Sequence, residues 1–176
     1  MSKTIQLTLT EESINKAIRE VNAYASGLPE KAARLGQLVA ERVAWSASSG
    51  FSSAVADDIF TGGDRPSADV SVDITEEGNL FIVIASGKDA VFIEFGAGVY
   101  YNGAPGSSPH PKGAENGFLI GQYGKGYGKR NVWALPGSTR DNPILTHGTP
   151  AAMPMYHGAE QAVAVIADLA KEVFNS

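Results

Sequence analysis

The fold is decided in the stretch Asp89-Ala90-Val91-Phe92-Ile93-Glu94-Phe95-Gly96-Ala97-Gly98, where a compact scaffold gives way to a glycine-rich region. Alternate positions of this stretch share one face of an extended chain, with Val91, Ile93 and Phe95 on one side and Phe92 and Glu94 on the other. Gly-Ala-Gly then ends it, because glycine adopts backbone conformations that other residues avoid. We therefore expect the last strand of a rigid sheet here, followed by a hinge at Gly96–Gly98.

The residues just upstream have the pattern of a β-hairpin. Val70, Val72 and Ile74 alternate with polar residues, Glu76–Asn79 has the composition of a turn, and Leu80–Ala85 returns as an apolar strand. With Val91–Phe95 as a third strand, residues 68–95 are predicted to form an antiparallel meander. Leu80–Ala85 is apolar on both faces, so it needs two covers. One cover is a helix of this chain, and the other is either a second helix or the sheet of another subunit.

Helices are predicted before and after the sheet along the chain. After a short strand at residues 4–9, Thr10 is a suitable N-cap for a helix that ends at Gly27. Pro29 then begins a second helix that runs to about Ser46, with Gly50 weakening or bending the chain before a further helical piece, 54–60. Residues 131–135 and 143–146 are predicted to be extended, and 154–174 to be a helix. Its apolar face comprises Ala159, Val163, Ile166, Ala170 and Val173.

Size and composition indicate one globular domain over residues 1–176. The hydrophobic content of 43% and charged content of 19% are typical of a folded chain, and the net charge of −5 argues against a dedicated nucleic-acid binder. The chain has no cysteine, which excludes disulfides and thiolate chemistry. No signal-peptide pattern or long apolar run is present, so we expect the protein to be made in the cytoplasm. The predicted class is α+β: a mainly helical part at 1–60, the meander at 68–95, a long glycine- and tyrosine-rich loop at 96–130, short extended segments at 131–153 and the last helix.

The glycine-rich stretches do not match a nucleotide-binding motif. The glycines at 96 and 98 lack the third glycine of a dinucleotide fingerprint, and those at 121 and 126 lack the lysine of a phosphate loop. Glu94, His110 and His147 make a metal-dependent hydrolase one alternative, provided that the fold brings them together. Tyr123 and Tyr127 alternate with Lys125, Lys129 and Arg130, which makes nucleic-acid contact a second alternative.

Glu94 itself has two interpretations. It is either a solvated residue on the polar face of a strand, or an acceptor for the glycine turn or for a basic residue of a neighbouring subunit.

The order of elements and two motifs resemble a family of tailed-phage head–tail joining, tail-completion and minor tail proteins. The segment Val91-Phe92-Ile93-Glu94-Phe95-Gly96-Ala97-Gly98 resembles the family's Tyr-x-x-x-Glu-Phe-Gly-Thr-Gly. The segment Thr146-His147-Gly148-Thr149-Pro150-Ala151-Ala152-Met153-Pro154-Met155-Tyr156 resembles its Thr-x-Gly-x-Pro-Ala-x-Pro-Phe-Met, and Val132-Trp133 its tryptophan strand. Ala97 stands where the family has threonine, and Met153-Pro154-Met155 is shifted from its Pro-Phe.

The resemblance implies a non-enzymatic structural protein of a phage or prophage, without cofactor or metal. It implies a homo-oligomeric ring, a hexamer, at the head–tail junction or tail end, assembled in the host cytoplasm and then part of the virion with other neck and tail proteins. The residues that we expect at its assembly interfaces lie in the sheet, at the hinge and in the loop: Phe81, Val83, Phe92, Glu94, Gly96, Gly98, Tyr100, Tyr101, Tyr123 and Tyr127.

Overall fold

The computed structural model of the chain describes residues 8–54, 68–97, 108–118, 133–134, 139–143, 145–146 and 148–175. Its elements, in chain order, are α1 (Glu11–Ser53), β1 (Ser71–Glu77), β2 (Leu80–Ser86), α2 (Ala90–Phe95), β3 (Trp133–Ala134), β4 (Leu145–Thr146) and α3 (Pro154–Asn175). The predicted α+β class is confirmed, with a long N-terminal helix, a C-terminal helix and a small antiparallel sheet. No helix in the described ranges is long and apolar enough to span a membrane.

The N-terminal helix is continuous. Thr10 caps it as predicted, because its hydroxyl accepts a hydrogen bond from the Ser13 N–H at 3.4 Å. The predicted break into two helices is wrong, since α1 runs through both Gly27 and Pro29. An interior glycine costs a helix about 1 kcal/mol and an interior proline about 3 kcal/mol. Packing of the second half of α1 against α3 and the hairpin offsets these costs. The strand predicted at residues 4–9 falls almost wholly outside the described residues.

The two long helices pack closely and antiparallel because small residues line their contact. A Cβ atom on Gly50 would lie 2.8 Å from the Pro154 Cβ, and one on Gly158 would lie 3.0 Å from the Val43 carbonyl oxygen. The bend predicted at Gly50 is therefore wrong, because this glycine lets α3 approach an uninterrupted helix.

The apolar face predicted for α3 is largely displaced. Helix α3 buries Pro154, Gly158, Ala162 and Val173, whereas Val163 is 70% exposed. Of the five residues predicted for the apolar face, Val173 is buried, Ala170 is partly buried and the other three are exposed. The small residues at the contact with α1, rather than the large apolar ones, define the packed face.

The hairpin has the predicted strands and turn. Strands β1 and β2 pair antiparallel, from Ser71 opposite Ser86 to Glu77 opposite Leu80. Gly78 begins the two-residue loop with a φ of 63°, a conformation that glycine adopts without strain. One face of the hairpin lies on α1, where the Phe81 ring occupies the space next to Gly36. The two later extended segments also pair, as β3 with β4.

The third strand of the predicted meander is instead a short helix. In α2 and the residues after it, Ala90, Ile93, Glu94 and Ala97 are buried, which is the i, i+3, i+4, i+7 spacing of a helix face. The described sheet around β1 and β2 therefore has two strands. A short apolar run is compatible with either structure, and here contacts with the start of α3 determine which one forms.

Candidate functional site

Glu94 is at the centre of a buried hydrogen-bond network. Its side chain is on the inner face of α2, the residue is 7% exposed, and both carboxylate oxygens accept hydrogen bonds from the first turn of α3. The Met155 N–H donates to Oε2 at 2.8 Å, and the Tyr156 N–H donates to Oε1 at 3.0 Å. The first N–H groups of a helix have no partner within it, and a negative charge is favourable there. Glu94 therefore caps a helix that begins 60 residues further along the chain.

The imidazole of His110 completes this network. Its Nδ1 accepts a hydrogen bond from the Lys112 N–H at 3.0 Å, so the proton of the neutral ring is on Nε2. Nε2 lies 3.1 Å from Glu94 Oε1 and donates to it. Both ring nitrogens are thus engaged, and the ring packs edge-on against Tyr156 at 5.4 Å between centroids.

The turn formed by residues 108–118 docks on the C-terminal end of α2. The Ser108 hydroxyl donates to the Phe95 carbonyl oxygen, and the Ser108 N–H donates to the Phe118 carbonyl oxygen at 3.0 Å, which closes the turn. The Phe118 ring stacks on Phe95 with 4.4 Å between centroids. This part of the predicted long loop is therefore packed on the scaffold.

Backbone hydrogen bonds join the two segments that carry the phage-protein resemblance. The Ala97 N–H donates to the Thr149 carbonyl at 2.7 Å, and the Ala152 N–H donates to the Ile93 carbonyl at 2.9 Å. Gly96 between them has a φ of 79°, and a Cβ atom there would lie 3.0 Å from Ala151. The glycine is required both by its backbone conformation and by the close approach of the second segment.

An open groove of about 500 Å³ lies beside the Glu94 network. The end of β2, α2 and the first turns of α3 form its walls, and Lys112 of the docked turn also borders it. Its lining is mainly apolar: Phe51, Val83, Ile84, Ala85, Ala90, Val91, Glu94, Phe95, His110, Lys112, Met155, Tyr156 and Ala159. A groove of this kind suits a side chain or a peptide segment with apolar groups.

The candidate residues from the sequence divide into three groups. Glu94 and Gly96 are buried, so the interpretation of Glu94 as a solvated strand residue is wrong. The hydrogen-bond donors to the Glu94 carboxylate come mainly from α3. Val83 borders the groove, Phe92 is partly exposed on α2, and Phe81 faces α1 within the chain. The other five lie outside the described residues: Gly98, Tyr100, Tyr101, Tyr123 and Tyr127.

Strand β2 is apolar on both faces, as the sequence indicates, but the interface residues predicted from the sequence do not include Leu80 and Ile84, which face outwards. Leu80 is 58% exposed and Ile84 43% exposed, because alternation along β2 places them opposite the face that Phe81 presents to α1. The alternation was visible in the sequence, but which face α1 covers was not.

The structure brings together two of the three residues named in the hydrolase hypothesis. Glu94 and His110 do meet, as the hydrolase hypothesis requires, but every nitrogen and oxygen of their side chains already has a partner. His147 lies outside the described residues, as do the cations of the nucleic-acid hypothesis. Within the described part of the chain, no three potential metal ligands cluster. Comparisons with protein-family models, curated proteins and solved structures found no match.

Proposed function

We propose that the protein is a non-enzymatic structural component of a phage or prophage virion that assembles into a homo-oligomeric ring at the head–tail junction or tail end. It assembles in the host cytoplasm and contacts other neck and tail proteins. The proposal of self-assembly rests on the large apolar side chains that the described part of the chain leaves exposed. Contiguous apolar surface of this kind is characteristic of protein–protein contacts.

This uncovered surface has two parts. The outer face of β2 exposes Leu80 and Ile84 beside the groove. The first half of α1 exposes Ile14, Ile18 and Val21 at helical spacing, beyond the part of the helix that α3 covers. Both are rigid elements, so little conformational entropy is lost when they are covered.

The phage assignment is supported by the two motifs, which the fold brings into direct contact. Residues 93–97 of the first motif and 149–156 of the second are joined by the Glu94 bonds and the backbone bonds described above. A resemblance spread over distant parts of the sequence thus corresponds to one structural unit.

Self-assembly is tested by sedimentation velocity over a wide concentration range. We expect a closed oligomer whose formation is weakened by Ile84→Asp, because a buried carboxylate at the contact is costly. Val163→Asp is the control, since Val163 is an apolar residue on α3 that is 70% exposed, against 43% for Ile84. A wild-type protein that stays monomeric throughout would refute self-assembly.

The phage assignment has a test of its own, which is the genes that flank this one. Portal, capsid and tail genes are expected there, and metabolic neighbours would refute the assignment.

The alternatives make different predictions. A hydrolase based on Glu94, His110 and His147 requires stoichiometric uptake of zinc or manganese. A nucleic-acid contact requires salt-sensitive DNA binding that is lost when Lys125, Lys129 and Arg130 become alanine.

A further inference from the structure

The second strand of the hairpin has one free edge. Strand β1 pairs with one side of β2, and no strand among the described residues pairs with the other. In an antiparallel pair the backbone groups point alternately towards the partner and away from it. With the pair Glu77–Leu80 flanking a two-residue loop, the outward N–H and C=O groups are those of Phe81, Val83 and Ala85. An unpaired edge of this kind is a template for another strand.

The two edges of the hairpin differ in their chemistry. Strand β1 carries Asp73, Glu76 and Glu77, and charges of this kind protect an edge from unwanted pairing. Strand β2 contains no charged residue from Leu80 to Ser86. Of the two edges, that of β2 is therefore the one suited to accept a strand.

The groove runs along this free edge. Three consecutive residues of β2, Val83, Ile84 and Ala85, border it. Successive side chains of a strand point to opposite faces, so a space that touches three in a row lies beside the backbone edge. The opposite wall is formed by α2 and the start of α3 and is mainly apolar, which leaves room for a strand with apolar side chains.

The chain contains a segment with the required pattern. Residues 4–9 read Thr-Ile-Gln-Leu-Thr-Leu, with apolar side chains at every second position and no charge. The last of these, Leu9, is 98% exposed, so this apolar row is not packed against its own chain at that point. The segment joins α1 at Glu11, next to the exposed residues of the first half of that helix.

Its tether prevents the segment from reaching the groove of its own chain. Phe51, which lines the groove, lies 40 residues along α1 from Glu11, which is about 60 Å at 1.5 Å per residue. The seven residues from Thr4 to Thr10, which include the segment, span at most about 25 Å when fully extended. The groove of an adjacent copy has no such restriction.

We propose that residues 4–9 of one copy add as a strand to the free edge of β2 in the next copy, with Ile5, Leu7 and Leu9 in the groove. The inference rests on the proposed self-assembly and names the contact that produces it. Donor and acceptor are different surfaces, so the contact is heterologous and propagates from copy to copy until a ring closes. The exposed first half of α1 then lies along the neighbouring subunit.

Cross-linking tests the contact in the full-length protein. The chain has no cysteine, so Leu7→Cys and Val91→Cys proteins can be made separately, mixed and treated with a short bismaleimide. We expect covalent dimers at least tenfold in excess of those from Leu7→Cys mixed with Val163→Cys. Equal yields from the two mixtures would overturn the proposal.

A proline substitution tests the backbone edge itself. Val83→Pro removes an outward N–H and leaves the bonds to β1 in place, whereas Val83→Ala removes the same side chain and keeps the N–H. We expect Val83→Pro to reduce cross-linking at least tenfold relative to Val83→Ala, with both proteins folded by circular dichroism. Equal cross-linking in the two folded variants overturns edge pairing.

A labelled peptide of residues 1–12 separates this inference from the proposed function. Its binding to the full-length protein is measured by fluorescence anisotropy, with the Val83→Pro protein as control. Binding that Val83→Pro weakens tenfold supports the strand contact even if the wild-type protein is monomeric, which would refute self-assembly alone. An oligomer that neither binds the peptide nor forms the cross-link retains the proposed function and overturns this inference.

Discussion

Replacing Glu94 by alanine tests the buried network most directly. The change removes the acceptor of the Met155 and Tyr156 N–H groups and of His110 Nε2, which lie 2.8, 3.0 and 3.1 Å from its carboxylate oxygens. All three donors are then left at the edge of a mainly apolar groove.

The magnitude follows from the groups that lose their partners. A helix cap is worth about 1 kcal/mol, and each buried donor left without an acceptor costs about 1–3 kcal/mol. Water entering from the adjacent open groove replaces part of this loss, which favours the lower end of the range. We expect the free energy of unfolding to fall by about 3 kcal/mol, equivalent to roughly 6–12 °C in melting temperature for a chain of this size.

The assay is urea unfolding followed by circular dichroism, with two companion variants. Glu94→Gln keeps the shape and one acceptor oxygen but places an NH₂ group against an N–H, so we expect an intermediate loss. Glu172→Ala removes an exposed carboxylate from α3 and is the control. If the free energy of unfolding of Glu94→Ala lies within about 0.5 kcal/mol of the wild-type value, the effect is that of an ordinary surface substitution. The cap would then not hold α3 in place.

Three further predictions concern packing and protonation. Gly27→Ala should stabilise the protein by about 1 kcal/mol, because a Cβ atom there meets nothing within 4 Å. Gly158→Ala should instead destabilise it, because its Cβ atom forces the two helices apart. Urea unfolding curves measure both variants, and equal changes in the free energy of unfolding would refute the close packing. The ¹⁵N spectrum of His110 should show the tautomer protonated at Nε2, and a proton on Nδ1 would contradict the hydrogen-bond pattern. The hydrogen bond to the Glu160 carboxylate and its charge raise the pKa of the Tyr156 hydroxyl, so stability from this contact is present at neutral pH and is lost as pH rises through that pKa. Spectrophotometric titration should show the pKa falling in Glu160→Gln, and an unchanged value would exclude the contact.

Local patterns in the sequence predicted the hairpin, the start of α1 and the last helix, because period, caps and turn residues are properties of neighbouring residues. The same patterns were misleading at Gly27 and Pro29. Their local cost is real, but packing of the following residues on α3 and the hairpin is stronger, and this packing is invisible to a local pattern.

The short stretch around Glu94 could not be assigned from its own residues. Six residues with alternating and helical periods superimposed fit either a strand or a helix. The contacts that stabilise α2 come from the start of α3, and its donors are main-chain N–H groups, which leave no signature in the sequence. The hydrolase hypothesis required Glu94 and His110 to lie close together. The other hydrogen bonds that these two side chains make are not visible in the sequence.

Hydrogen bonds fix both ends of the sequence between α2 and α3, so its length can change at little cost in stability. The bonds from Ala97 to Thr149 and from Glu94 to the start of α3 hold α2 and α3 together at both ends of the sequence between them, and the turn 108–118 docks on the same unit. The entropy of closing such a loop grows only logarithmically, so doubling its length costs about 0.6 kcal/mol. Insertions and deletions between Ala97 and Thr149, outside the docked turn 108–118, should therefore cost little stability while α2 and α3 keep their positions.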